Sequence, residues 1–171
     1  MEVVGRWATV DKAGWGDGPW TTEPDKQHWV DPETDYDCLI HRGPMGALCG
    51  YVGVTEGHPA FGLDYEAVHG LFPSPEGWSA LDVHGGLTYA DLCQEGDDPA
   101  TGICHVPLPG RPHKVWWLGF DCAHYMDYAP AYEARKRAKG YATIGDPQYR
   151  DIAYVEREVA SLARQLRTLQ P

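Results

Sequence analysis

Six apolar residues near the C-terminus, Ile152, Val155, Val159, Leu162, Leu166 and Leu169, recur at alternating intervals of three and four. That period aligns them on one stripe of an amphipathic helix. Asp146-Pro147 offers an N-cap followed by proline at a first helical position, so the sequence predicts a helix over 146–169. Its polar face carries Arg150, Glu156, Arg157, Arg164 and Arg167. The stripe has to be covered, either by a sheet of the same chain or by the helix of a second copy in a homodimer.

The rest of the chain reads as short strands and punctuated loops. Residues 38–41 and 48–54 are expected to be buried strands joined by a turn at Gly43-Pro44. KVWWLGF over 114–120 is the strongest strand signal, with Trp116 and Trp117 on opposite faces. Residues 81–89 read as two strand fragments meeting at Gly85-Gly86, and 56–65 and 94–100 as loops. The first 36 residues, rich in Gly, Pro, Trp and acid, read as an irregular segment pinned by Trp15, Trp20 and Trp29. The expectation is one α+β domain over 1–171: a mainly antiparallel sheet, long loops and a C-terminal amphipathic helix.

Lys and Arg number 14 against 25 Asp and Glu, a formal net charge of -11. A surface that acidic repels phosphate backbones and argues against nucleic-acid binding. A small anionic ligand in a local pocket remains compatible, because a few placed cations and N–H groups outweigh the global field. No window approaches ~18 consecutive apolar residues, so no membrane span is expected. No basic region precedes an apolar one at the N-terminus, and a cytoplasmic protein is expected. Five cysteines, an odd count without a CxxC pair, argue against both a disulfide framework and a structural zinc knuckle. Cys122 and Cys49 are the cysteines weighed as nucleophiles, and neither has a convergent histidine in the sequence.

Histidines carry the chemistry. Asp121, His124 and Asp127 follow the strongest strand at intervals of three. On a helical turn they would share a face, where they could hold one divalent metal ion. Alternatively Asp121 would orient His124 as general base. The competing structural reading has Asp121 cap the turn and His124 fill a half-buried slot. His84 precedes Gly85 and Gly86, whose backbone N–H groups could bind an oxyanion. Arg42 is a candidate anion partner because positive charge is scarce, His58 a candidate loop ligand, and Trp117 a candidate stacking wall. His41 is expected on the same rim. His28, His69, His105 and His113 are expected to be solvent-exposed. The chain has no G-x-S-x-G elbow, P-loop, G-x-G-x-x-G or H-E-x-x-H, which removes the reactions those motifs serve.

The segments CLIHRGPMGALCGYVGV, GHPAFG, VHGGLTYA, WWLGFDCAH followed by Asp127, and YRDIAYVEREVASLARQL resemble a family of small proteins, many encoded by bacteriophages and prophages. The resemblance implies a bacterial host and a phage setting, and no particular reaction. Some small acidic phage proteins sequester or degrade nucleotide signals of host defence. The leading expectation is therefore a small hydrolase acting on an anionic, nucleotide-like molecule through His124, Asp121 and His84. A non-catalytic protein that captures such a molecule is the alternative, and a virion or interaction protein the third.

Overall fold

The computed structural model describes residues 2–94 and 98–170. Its chain forms six strands: β1 Glu2–Trp7, β2 Lys26–Val30, β3 Asp37–Arg42, β4 Leu48–Thr55, β5 Tyr89–Leu92 and β6 Val115–Asp121. Three helices accompany them: α1 Tyr65–His69, α2 Pro130–Ala138 and α3 Ile152–Arg167. The strands make one sheet in the order β1-β2-β3-β4-β6-β5, with every neighbouring pair antiparallel. No described helix is long and apolar enough to cross a membrane. The fold class is α+β, as the sequence predicts.

Alternation along the central strands sorts the core into two faces. Cys38 and Ile40 of β3, Val52 and Val54 of β4, and Leu118 and Phe120 of β6 point to the side where α3 lies. Leu39, Tyr51, Val115 and Trp117 form a smaller cluster on the other face. Trp116 packs with the first cluster and Trp117 belongs to the second. Val155, Val159, Leu162 and Leu166 are buried in the first cluster, so this chain's own sheet covers the apolar stripe. Gly50 allows the close approach. A Cβ there would lie 2.5 Å from Val159 Cγ2, well inside contact distance.

Three expectations about the secondary-structure elements differ from the structure. The first 36 residues contain β1 and β2 rather than a wholly irregular segment. Helix α3 starts at Ile152, capped by Asp151 accepting from the Tyr154 N–H at 2.8 Å, not at Asp146. Residues before it are held extended: Gln148 N–H donates to Met126 and Tyr128 N–H to Gln148. Third, 81–88 is loop, and only Tyr89 opens a strand. Side chains of α3 stand in for a sheet partner there. Gln165 bonds both N–H and C=O of Asp82, at 2.8 and 2.6 Å, and Glu158 accepts from His84 N–H at 3.0 Å. Within the expected loop at 94–100, residues 95–97 lie outside the described residues. Helix α2 was not anticipated.

Cys93 and Cys104 form a disulfide, contrary to the expectation drawn from the odd cysteine count. Cys38, Cys49 and Cys122 are free.

Candidate functional site

The site begins at the end of β6. Asp121 closes the strand and the chain turns through 122–126 without becoming helical. Asp127 N–H donates to His124 C=O at 3.0 Å, and Met126 takes φ +70°. A turn with positive φ at its third residue normally selects glycine, so this non-glycine residue marks local strain beside the site. Asp127 bends back over the turn, and its Oδ2 accepts from the His124 N–H at 3.1 Å.

His84 reaches the same carboxylate from the 81–88 loop. Its Nε2–H donates to Asp127 Oδ2 at 2.7 Å, and Tyr154 O–H meets its Nδ1 at 2.9 Å. Arg150 Nε donates to Asp127 Oδ1 at 2.9 Å, brought there by the extended pairing of 126–128 with Gln148. Burial pushes the Asp127 carboxyl up, but the hydrogen bonds from Arg150 and His84 outweigh it and hold the acid below its ordinary range. Asp127 is therefore an acceptor-only anion, and this fixes the proton of a neutral His84 on Nε2. With only 1% of its side chain exposed, it sits beneath the two imidazoles.

His124 completes the cluster. Its Nδ1 lies 3.7 Å from Asp127 Oδ2, and the His84 and His124 ring centroids are 5.5 Å apart. One ligating atom from each of His84, His124 and Asp127 falls within 4.8 Å of the others. Nδ1 of His124 is buried and has no hydrogen-bond partner among the described residues. Gly85, at φ +66°, lies directly beneath this ring, and a Cβ there would overlap it. Gly85→Ala is expected to destabilise the chain by about 1–2 kcal/mol through the left-handed backbone and to displace His124. Urea unfolding measures the first effect, and loss of metal or ligand affinity in the folded variant measures the second.

The sequence-predicted residues divide sharply. His124, His84 and Asp127 converge. Asp121 does not join them: its Oδ1 accepts from Ala123 N–H and its Oδ2 from Thr88 O–H, both at 3.0 Å, and Oδ1 stays 3.9 Å from His124. It caps the turn, as the structural reading had it. Gly85 serves as a bed for His124, and Gly86 N–H is already given to Val83 C=O at 3.0 Å, so that amide is not free for an oxyanion.

Arg42 is buried and committed, donating to Asp25 Oδ1 at 2.7 Å, Glu23 Oε2 at 3.3 Å and Gly46 C=O at 2.9 Å. Trp117 is buried on the opposite face of the sheet and donates to Cys93 Sγ. His41, on β3, and Cys49 likewise lie away from the cluster, Cys49 packing with the opposite-face core. Burial raises the thiol of Cys122 far above its usual range and that of Cys49 to about 11, which removes thiolate nucleophiles near neutral pH.

His58 is structural. Its Nδ1 accepts from Ala60 N–H at 3.0 Å, so Nε2 carries the proton donated to Leu166 C=O at 3.1 Å. Burial holds His58 below its ordinary value, and His41 is depressed for the same leading reason. The unfolded chain therefore takes up protons near pH ~6.5 that the folded chain refuses. Stability is expected to be full above that pH and to fall as pH drops from ~6.5. Urea midpoints at pH 7.5 and 5.5 test this, and His58→Gln should shrink the difference. His28 and His105 are buried, against expectation, whereas His113 is exposed.

A cleft of about 480 Å³ adjoins the cluster, lined by His124, Asp127, Met45, Tyr125, Met126, Tyr132 and Ile144 among others. A second hollow of about 600 Å³ shares Tyr132 and Ile144 with it and adds Tyr141, Arg135, Lys136 and Lys139. Among the described residues, ten large hydrophobic side chains are exposed, and Met45, Tyr125, Met126, Tyr132, Tyr141 and Ile144 all border these two hollows. Apolar exposure is thus concentrated at one place, a feature that ligand-binding surfaces share.

Tyr154, Glu158 and Arg150 were missed as site residues. Tyr154 and Glu158, four apart, share one row of α3, a signal the sequence carries. Arg150 instead lies in the extended segment before the helix, where no helical period points to it. Comparison with family models, curated proteins and solved structures finds no match for the chain.

Proposed function

We propose that this protein is a hydrolase of a small anionic molecule, working at a divalent-metal centre formed by His84, His124 and Asp127. The observation that carries the reading is the convergence of these three ligating groups, two of which, His124 and Asp127, line a ligand-sized cleft, with His124 Nδ1 left without a partner among the described residues. His84 is poised for the role. Reversing its tautomer, so that Nδ1–H donates to the Tyr154 oxygen, frees the Nε2 lone pair, and Tyr154 then orients the ring as outer partners of ligating histidines do. Arg150 keeps Asp127 ionised and in place. A divalent ion held by His84, His124 and Asp127 would supply an activated water and a Lewis acid for the scissile oxygen.

The anionic class follows from charge. In a chain of net charge -11, Arg135, Lys136 and Lys139 gather along one hollow beside aromatic Tyr132 and Tyr141. Cations beside exposed rings suit a phosphate joined to a flat base, a nucleotide-like ligand. The resemblance to phage-encoded proteins supports action in the cytoplasm of a bacterial host.

Turnover of nucleotide phosphoesters by zinc- or manganese-loaded protein tests the proposal. Hydrolysis that His124→Ala lowers at least about 100-fold is the expected result. Tight binding of the same nucleotides without product would replace hydrolysis by capture. Neither binding nor turnover, with either metal, would remove the proposal.

A further inference from the structure

On the sheet face opposite α3, Cys93, Cys104 and His105 bring one ligating atom each within 4.8 Å of one another. Their surroundings suit a cation better than they suit the disulfide. His105 is buried, yet its Nδ1 has only Cys93 Sγ at 3.5 Å and its Nε2 has no partner among the described residues. A buried imidazole normally satisfies both nitrogens with stronger partners than a disulfide sulfur. Trp117 Nε1–H points at Cys93 Sγ, 3.3 Å away, a donor that favours a thiolate. Cys104 and His105 also border a cavity of about 230 Å³, room for a water as a further ligand.

The two sulfurs do not depend on their covalent bond to stay neighbours. Lys26, buried on β2, donates to the carbonyls of Pro99 at 2.7 Å and Thr101 at 3.3 Å, inside the loop that the disulfide closes. Gln94 N–H donates to Ile103 C=O at 3.1 Å, one residue inside each cysteine. Opening the disulfide therefore leaves a prearranged pair of thiols beside an imidazole.

We propose that Cys93, Cys104 and His105 form a second, redox-gated site for a soft divalent ion of the zinc type, with the disulfide as its closed, metal-free state. Two thiolates and one imidazole are a ligand set that zinc accepts, with a fourth position for water. A dithiol reductant opens the site: it transfers two electrons and two protons, gives the two cysteine thiols and becomes its own disulfide. Metal uptake then releases the two thiol protons. The ion would lock the loop after β5 under reducing conditions, as the disulfide does under oxidising ones.

The test uses the wild-type chain, reduced with a phosphine and desalted, then alkylated with and without zinc, with each cysteine read by peptide mass. Zinc is expected to slow alkylation of Cys93 and Cys104 at least about tenfold, leaving Cys49 unprotected. Cobalt(II) should give a thiolate charge-transfer band in the reduced chain that is absent from the oxidised chain and from Cys104→Ser. His105→Gln should weaken metal binding at least about tenfold, no less than loss of an outer partner does. Equal alkylation of Cys93 and Cys104 with and without zinc would overturn the proposal, as would a cobalt band that survives in Cys104→Ser. These readouts are independent of the His84 centre, which has no sulfur.

Discussion

Under the proposed function, replacing Asp127 by Asn is expected to lower turnover at least about 100-fold and to abolish uptake of the metal. The carboxylate is the point on which the site converges, taking hydrogen bonds from His84, Arg150 and the His124 backbone. Asn preserves the shape but removes the charge. It offers one acceptor oxygen in place of two and sets an NH₂ group against a donor. The cost to stability is about 1–3 kcal/mol, the range for leaving a buried partner unpaired. Thermal unfolding, metal content and kcat/KM measured on the same preparation separate the effects. A variant that is folded, metal-loaded and fully active would remove Asp127 from the centre.

Arg42→Met is expected to be the most damaging change to the fold, at about 3–5 kcal/mol. The guanidinium side chain is 0% exposed and lies among Glu23, Asp25 and the Tyr149 hydroxyl. Burial alone would lower its pKa, but Tyr149 and Asp25 hold it charged. Removing it strands two buried carboxylates, of which Asp25 retains only Lys12 as a cationic partner. Because a domain of this size is stable by about 5–15 kcal/mol, the variant should be marginal at 37 °C. Urea unfolding reads the loss directly. A cost below about 1 kcal/mol would mean that Arg42 is not the keystone between β3 and the segment before α3.

Which parts of this were legible in sequence follows from how local each signal is. The β3–β4 hairpin, strand β6 and the stripe of α3 announce themselves through periods of two and 3.6 within a few residues. Strand β2 hides because its Lys26, Gln27 and His28 look like surface residues. All three are buried, with partners as distant as Pro99, Glu156 and Asp37. The loop at 81–88 reads as strands by its residue pattern, but the backbones of Asp82 and His84 are paired by the side chains of Gln165 and Glu158, more than seventy residues away, which no local pattern shows.

The site divides along the same line. His124 and Asp127 meet through a single turn, and His84 was singled out by the glycines behind it. Arg42 was misread because scarcity of positive charge suggested a ligand partner, when the carboxylates that claim it lie in a segment that looked irregular. Arg150 was assigned to the polar face of a helix, but it lies in the extended segment before α3 and turns to Asp127 instead. His58 sits in a turn that suggested function, and its two ring nitrogens are instead consumed by Ala60 and Leu166.

The central claim is that His84, His124 and Asp127 hold one divalent ion. Native mass spectrometry of the oxidised protein, with the Cys93–Cys104 disulfide closed so that only this centre can load, tests it most directly. The account predicts one zinc or manganese ion per chain in the wild type and none in a folded His124→Ala variant. A bare chain mass after metal loading, or an ion that persists in His124→Ala, would contradict it.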